Sequence, residues 1–160
     1  MVMSKRDRLI ESAAELFHQH GMTSTSLADI AKHAEIPIGN VYYYFKTKEE
    51  LALAALEKRR QLLDQAYKNL DNTESDPRVR LIEAVRFFER VKDEYTRYGC
   101  PVGKIVIESG IEKDAVAKAA AQVLQHFVDW AQTQFDMLGH REEARHYAIS
   151  LMAGIEGATV

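Results

Sequence analysis

The chain is poor in the residues that break or cross-link a fold. It has one cysteine, three prolines and eight glycines in 160 residues. A single thiol cannot form an intramolecular disulfide, and it excludes a cysteine-rich zinc site. So few prolines and glycines argue against a turn-rich all-β fold and for long helices. No apolar run approaches the roughly 20 residues of a membrane helix. Met1 to Leu9 lacks the apolar centre of a secretory signal. The expectation is a soluble, cytoplasmic protein with no membrane partner. Basic excess is also missing, since the net charge is −3. That average hides a mild asymmetry: residues 1–60 hold nine Lys/Arg against eight Asp/Glu, and the remainder twelve against sixteen. A local basic face near the N-terminus is therefore permitted.

What is present is helical periodicity. The hydrophobic fraction of 46% and the charged fraction of 28% are those of an ordinary globular protein. Leu9, Ile10, Ala13, Ala14 and Phe17 share one face of a helix over roughly 4–20, stopped by Gly21. Ser26 is a good N-cap, with Asp29 as its capping-box partner, for a short helix over about 27–34. Ile36-Pro37 opens a third helix that runs to about Tyr44. Thr47 caps a fourth, with Glu50 at its third position, over about 48–70. Asp71 to Pro77 reads as a polar linker. Further helices are expected over about 78–97, about 102–109 ending near Gly110, from about Val116 to Leu138, and from about Arg141 onward. No segment alternates as a strand does. The last helix is still apolar at Val160, which reads as a truncated helix, the alternative being one completed by contact with a partner.

Two short helices joined by a tight turn over 23–48 make a helix-turn-helix. In that motif the second helix enters the major groove of DNA. Gly39 would let backbone approach a partner closely, and Asn40 can both donate to and accept from a base edge. Tyr42, Tyr43 and Tyr44 point in three directions around one helix, so at least one must be exposed, with its hydroxyl in reach of a phosphate. The alternatives are core aromatics, which suits Phe45, and a plain solvated loop for Lys46 and Lys48.

Residues 9–53 resemble the N-terminal domain of the TetR/AcrR-type bacterial transcriptional regulators. The resemblance rests on Ala14, Leu16, Phe17 and Gly21, on Thr25-Ser26-Leu27 with Ile30-Ala31, and on Ile36 and Gly39. It continues through Val41-Tyr42-Tyr43-Tyr44-Phe45 and Lys48-Glu49-Glu50-Leu51. It implies an all-α fold, with a three-helix DNA-binding domain over 1–50 and a helical ligand-binding and dimerisation domain over 51–160. It implies a repressor that binds double-stranded palindromic operator DNA as a homodimer and is released by a small effector. Asn40 and Tyr43 would read base edges or thymine methyls. Tyr42, Lys48, Thr25 and Ser26 would meet phosphates, and Gly39 would allow close approach. Tyr44 and Lys46 complete the candidate interface. The sequence departs from its relatives at Pro37 and Ile38, where a small hydroxyl residue and often a basic one are usual.

In the remainder, the five alanines of Ala115 to Ala121, and Ala148, Ala153, Gly154 and Gly157, would let the last two helices approach a partner copy closely. Phe87, Phe88, Tyr95, Cys100, Phe127, Trp130 and Met152 are candidate ligand-binding residues, each with plain core packing as its alternative. Cys100 stands near a helix start with Lys104 close by, a setting that lowers a thiol pKa. The segment Gly99-Cys100-Pro101-Val102-Gly103 resembles one branch of the family, some members of which sense oxidants or electrophiles through this cysteine. A thiol-based sensor on the same scaffold is therefore the alternative function. The six histidines lack ligand spacing, so no metal is expected. No nucleophile, base and orienting partner form a readable constellation. Neither catalytic residues nor a cofactor are expected, and a helical-bundle enzyme or carrier is the remote alternative.

Overall fold

The computed structural model describes residues 3–109 and 115–158. Those residues form nine α-helices and no strand. They are α1 (Lys5–His20), α2 (Leu27–His33), α3 (Ile38–Tyr44), α4 (Lys48–Thr73) and α5 (Pro77–Arg90). There follow α6 (Lys92–Tyr98), α7 (Pro101–Ser109), α8 (Ala115–Met137) and α9 (Ala144–Gly157). None is long and apolar enough to cross a membrane. The expected end near Gly110 and the final Val160 lie outside the described residues.

Packing divides the chain into Met1–Arg59 with Pro101–Ala121, and Arg60–Cys100 with Gln122–Val160. The expected boundary at residue 50 moves for this reason. The first turns of α4 bury Leu51, Ala52, Ala55 and Leu56, and α7 buries Val102 and Ile105, in the N-terminal unit. In that unit α3 packs on α2, α2 on α1, and α1 on α7. Leu9, Phe17, Ile30 and Val41 are all 1% exposed or less. Each such side chain contributes roughly 1.5–3 kcal/mol by leaving water. Ala117 and Ala120, read as interface alanines, are buried in this same unit.

The second unit is built around Tyr67, Leu81, Ala84, Phe127, Trp130, Ala131, Ala148 and Ile155. Here three expected boundaries change. Helix α4 runs on through Asp71 to Thr73, so the linker shrinks to Glu74–Asp76. The cause is Arg80, only 9% exposed. Its guanidinium donates to the carbonyls of Glu74 (2.7 Å) and Asp71 (3.1 Å), and to Gln134 Oε1 at 3.1 Å. Asp71 Oδ1 in turn accepts from Trp130 Nε1 at 3.2 Å and lies 3.5 Å from Arg80 Nη1. The carbonyls that a helix end leaves unpaired are thus met by a side chain from the next helix. The expected fifth helix is two, α5 and α6, broken at Val91. That residue leaves helical geometry (φ −103°, ψ 10°), and its N–H bonds Phe88 O three residues back. The apolar period runs through the break unchanged, so spacing alone could not show it. The helix expected from about residue 102 starts at Pro101, the first residue of α7, a position where its missing N–H costs nothing.

Replacing Arg80 by Ala should lower the unfolding free energy by about 2–3 kcal/mol, because a charged donor to several buried acceptors is lost. Replacing Arg86, exposed beside Glu83, should cost under about 0.5 kcal/mol. Urea titration of both variants separates the two cases.

Candidate DNA-binding site

The site begins with how α3 is held. Ser26 Oγ accepts from Asp29 N at 3.1 Å, and the Asp29 carboxylate accepts from Ser26 N at 2.9 Å, so the capping box expected for α2 is complete. The hydrogen bonds from Ser26 hold the Asp29 carboxyl below its ordinary range. Helix α2 ends in a paired turn: Ile36 N–H bonds Ala31 O at 2.9 Å and Glu35 N–H bonds Lys32 O at 3.1 Å. This closure needs a left-handed residue, and Glu35 supplies it at φ +53°, where glycine is usual. Arg8 of α1 donates to Ala34 O and lies 3.7 Å from the Glu35 carboxylate, which ties this turn to α1.

Helix α3 buries Val41 (0% exposed), and Phe45 (4%) directly follows it. Arg6 of α1 stands over the Phe45 ring at 5.2 Å. Those anchors turn the opposite face outward. Tyr43 is 79% exposed and Tyr42 49%, while Tyr44 and Asn40 are half-buried. The Tyr43 and Tyr44 rings meet edge to face, 5.0 Å between centroids. A side chain added at Gly39 would meet nothing within 4 Å. The fold therefore has no packing need for glycine there, and the open space lies on the exposed face.

The cations flanking α3 are partly engaged. Lys46 Nζ donates to Tyr42 O at 2.6 Å and Lys48 Nζ to Met22 O at 2.7 Å. An ammonium has three donors, so each retains capacity for a phosphate. Thr47 Oγ1 accepts from Glu50 N at 3.1 Å, as expected of a cap, and the Glu50 carboxylate reaches back to Lys46 N at 2.7 Å. Ser26 is exposed at the start of α2. Thr25 is not available in the expected way. It is 3% exposed and its hydroxyl donates to Gly21 O at 2.7 Å, so it ties the α1–α2 connection internally instead of facing a phosphate.

Sequence reasoning missed the brace that α7 lays across this connection. Lys104 Nζ donates to His18 O (3.2 Å) and Gln19 O (3.5 Å), where a cation suits the helix C-terminus. The Glu108 carboxylate accepts from Thr23 N at 3.1 Å. It occupies the space over Gly21, where a Cβ would lie 2.1 Å from its oxygen. Residues some 85 positions apart leave no local pattern of such a contact. Lys104 was expected to assist the Cys100 thiol, but its ammonium is directed at α1.

The candidate ligand residues are mostly packed against one another. Phe127 (2% exposed), Trp130 (8%) and Tyr95 (5%) are buried. Tyr67 stacks on Trp130 at 4.6 Å, and Phe88 meets Phe127 at 6.0 Å and Tyr95 at 6.1 Å, both edge to face. Met152 packs against this cluster, Phe87 is 40% exposed, and Cys100 is half-buried. The core alternative thus describes Tyr95, Phe127 and Trp130. Phe88 also lines an open groove of about 470 Å³ between α5 and α9, with Val85, Lys92, Ser150 and Gly154.

Comparison with known proteins agrees with this geometry. The sequence model described as bacterial regulatory proteins, tetR family, matches residues 9–55. The model described as transcriptional regulator LmrA/YxaF-like, C-terminal domain, matches residues 81–160, half of the chain. An HTH-type transcriptional regulator of Mycobacterium tuberculosis is 26% identical over 164 residues, spanning 96% of this chain and 81% of that protein. The crystal structure of a TetR transcriptional regulator from Legionella pneumophila superposes with a TM-score of 0.86 at 18% identity, covering 99% of this chain and 86% of that one. The structure of AibR in complex with isovaleryl coenzyme A and operator DNA superposes at 0.72 with 18% identity, covering 95% and 84%.

Gly39→Ala should separate folding from recognition. Alanine raises helix propensity by about 0.8–1 kcal/mol, so Tm should rise, while DNA affinity falls because the new methyl stands on the approaching face. Calorimetry and fluorescence anisotropy on one preparation check both signs. Asp29 has a second consequence. Its folded pKa lies below its unfolded value, so its stabilisation is present above the unfolded pKa and is lost as pH falls through the folded one. Asp29→Asn should therefore flatten the acid limb of a Tm-against-pH curve.

Proposed function

Because the chain belongs to the TetR family of bacterial regulatory proteins, we propose that this transcriptional regulator is a repressor, which binds a palindromic operator as a homodimer and is released by a small effector. The observation that carries the reading is the outward face of α3. Gly39, Asn40, Tyr42 and Tyr43 stand away from the core on a helix whose other face is anchored by Val41. Such a helix fits a major groove, and two of them about 34 Å apart fit successive grooves of a palindrome. Asn40 and Tyr43 read bases. Tyr42, Ser26, Lys46 and Lys48 meet phosphates, which fix register without reading sequence. The cytoplasm follows from the target.

The partner copy is held through α8 and α9. On α9, Ala153 and Gly157 are exposed, nothing lies within 4 Å of a Cβ placed on Gly157, and Ile149 is 49% exposed. Small residues there let a second helix come close. The effector is apolar and enters the second unit, where the groove beside Phe88 is one of several concavities and has a largely apolar lining. AibR offers a parallel, as a protein of this fold seen with an acyl-coenzyme A and with its operator. Effector binding releases DNA by favouring dimers that no longer fit two successive grooves. The family and the relatives described above are regulators, not enzymes.

Fluorescence anisotropy on duplex DNA from upstream of the protein's own gene tests the reading. Six to ten phosphate contacts imply an affinity loss of about 10³–10⁵ between 50 and 200 mM salt. Affinity no better than for unrelated DNA would overturn it. Ile149→Arg should yield monomers in analytical ultracentrifugation and weaken operator binding at least tenfold, as a charge buried in an interface is costly.

A further inference from the structure

The reading surface of α3 carries no charge. Its seven residues are Ile38, Gly39, Asn40, Val41, Tyr42, Tyr43 and Tyr44. A guanine is most often read by an Arg or Lys that forks to O6 and N7, and no residue of α3 can do that. Lys46, the nearest cation in sequence, follows the helix and donates to the carbonyl of Tyr42. At the start of α3, where recognition helices contact base edges, stand two exposed apolar residues. Pro37 is the N-cap and makes no side-chain cap bond, and Ile38, the first helical residue, is 42% exposed. Leaving an isoleucine in water at that position gains the fold nothing. The major-groove edge of the four bases offers one apolar group, the C5-methyl of thymine.

We infer that Ile38 is a specificity-determining residue that selects a thymine by its C5-methyl group, next to an adenine read by Asn40, so that the operator half-site is A·T at the positions under the α3 N-terminus. The inference rests on the proposed reading of α3 as a base-reading helix. Asn40 supplies the polar half, since an amide pairs in two places with adenine N6 and N7. Ile38 supplies the apolar half. Gly39, between them, has open space where its side chain would be, which lets both neighbours come close to the base edges.

The test starts with selection from a duplex library with a randomised core, using the purified full chain and its Ile38→Ala and Ile38→Lys variants. The expected result is a palindrome whose half-sites contain thymine and adenine but no guanine–α3 contact. Replacing each selected thymine by deoxyuridine removes only the methyl. At the position facing Ile38 this should weaken wild-type binding about three- to fivefold, the value of one buried methyl. The same replacement should leave Ile38→Ala unchanged, and Ile38→Lys should shift selection at that position toward guanine. Ile38 is exposed, so equal Tm values for wild type and Ile38→Ala exclude misfolding as the cause. If no sequence is enriched, the reading of α3 as a base-reading helix fails. If a sequence is enriched but uracil binds as well as thymine at every position, or Ile38→Ala weakens thymine and uracil duplexes equally, the role of Ile38 fails alone. The same methyl is carried by 5-methylcytosine. Enrichment only on a library that contains 5-methylcytosine, with no thymine selected in unmodified DNA, would overturn the assignment to thymine.

Discussion

A helix of seven residues cannot hold itself together in water, because one costly nucleus must be offset by very few propagated turns. Helix α3 exists because Val41 and Phe45 are sealed into the unit formed with α1 and α2. This constraint orders everything around the site. Two of the positions from 41 to 45 are spent on anchoring, which leaves the intervening ones to point outward. Of the tyrosines that would be awkward together in any core, 100° apart and each with a hydroxyl, Tyr42 and Tyr43 are exposed and Tyr44 is half-buried. The backbone of that face is set by the buried Val41 and Phe45 and not by its exposed side chains.

Around that anchor the structure uses polar contacts where flexibility would blur the geometry. The Ser26–Asp29 box starts α2. A left-handed Glu35 closes it, at a conformational cost that glycine would avoid. Arg8 and Arg6 of α1 bind the turn and the end of α3. Lys104 and Glu108 brace the α1–α2 connection from α7. In the second unit Arg80 does the same for the end of α4. Arg8, Lys104 and Glu108 reach segments far apart in sequence, and with Ser26, Asp29 and Arg80 they satisfy backbone groups that would otherwise be unpaired.

The functional reading draws on two kinds of surface. The exposed face of α3 combines the aliphatic Ile38 with Asn40 and the hydroxyl-bearing rings of Tyr42 and Tyr43, and it carries no charge. The second unit keeps its aromatic rings packed edge to face and stacked, which contributes both core and shape. An open groove lies beside Phe88, while Tyr95, Phe127 and Trp130 are buried in the core. The proposed homodimer draws on the small residues left bare on α9, which are what a close helix–helix contact requires.

Much of the fold was legible because local chemistry dictates local structure. The Ser26 cap with its Asp29 partner, Gly21 as a stop and Thr47 with Glu50 were all readable and found in place, and the inner face of the first helix was found at Leu9, Ile10, Ala13 and Phe17, with Leu16 buried where Ala14 was expected and Ala14 exposed. The tyrosine run by itself implies an exposed aromatic, because geometry forbids burying all three. The resemblance over residues 9–53 supplied the family, which composition could not. What escaped were matters of distance. A polar Asp71–Thr73 looks like linker until Arg80 arrives to satisfy it. A continuous apolar period conceals the break at Val91. Thr25 looks like a phosphate ligand until Gly21 O takes its hydroxyl, and Phe127 looks like a pocket wall until Phe88 and Trp130 fill the space. Sequence by itself determined which residues prefer helix, cap or turn, since those preferences act within one turn of chain. Only the tertiary structure decided which polar groups were already satisfied and which side chains faced solvent, because hydrogen-bond partners and neighbours in the core come from segments that adjacency in sequence does not reveal.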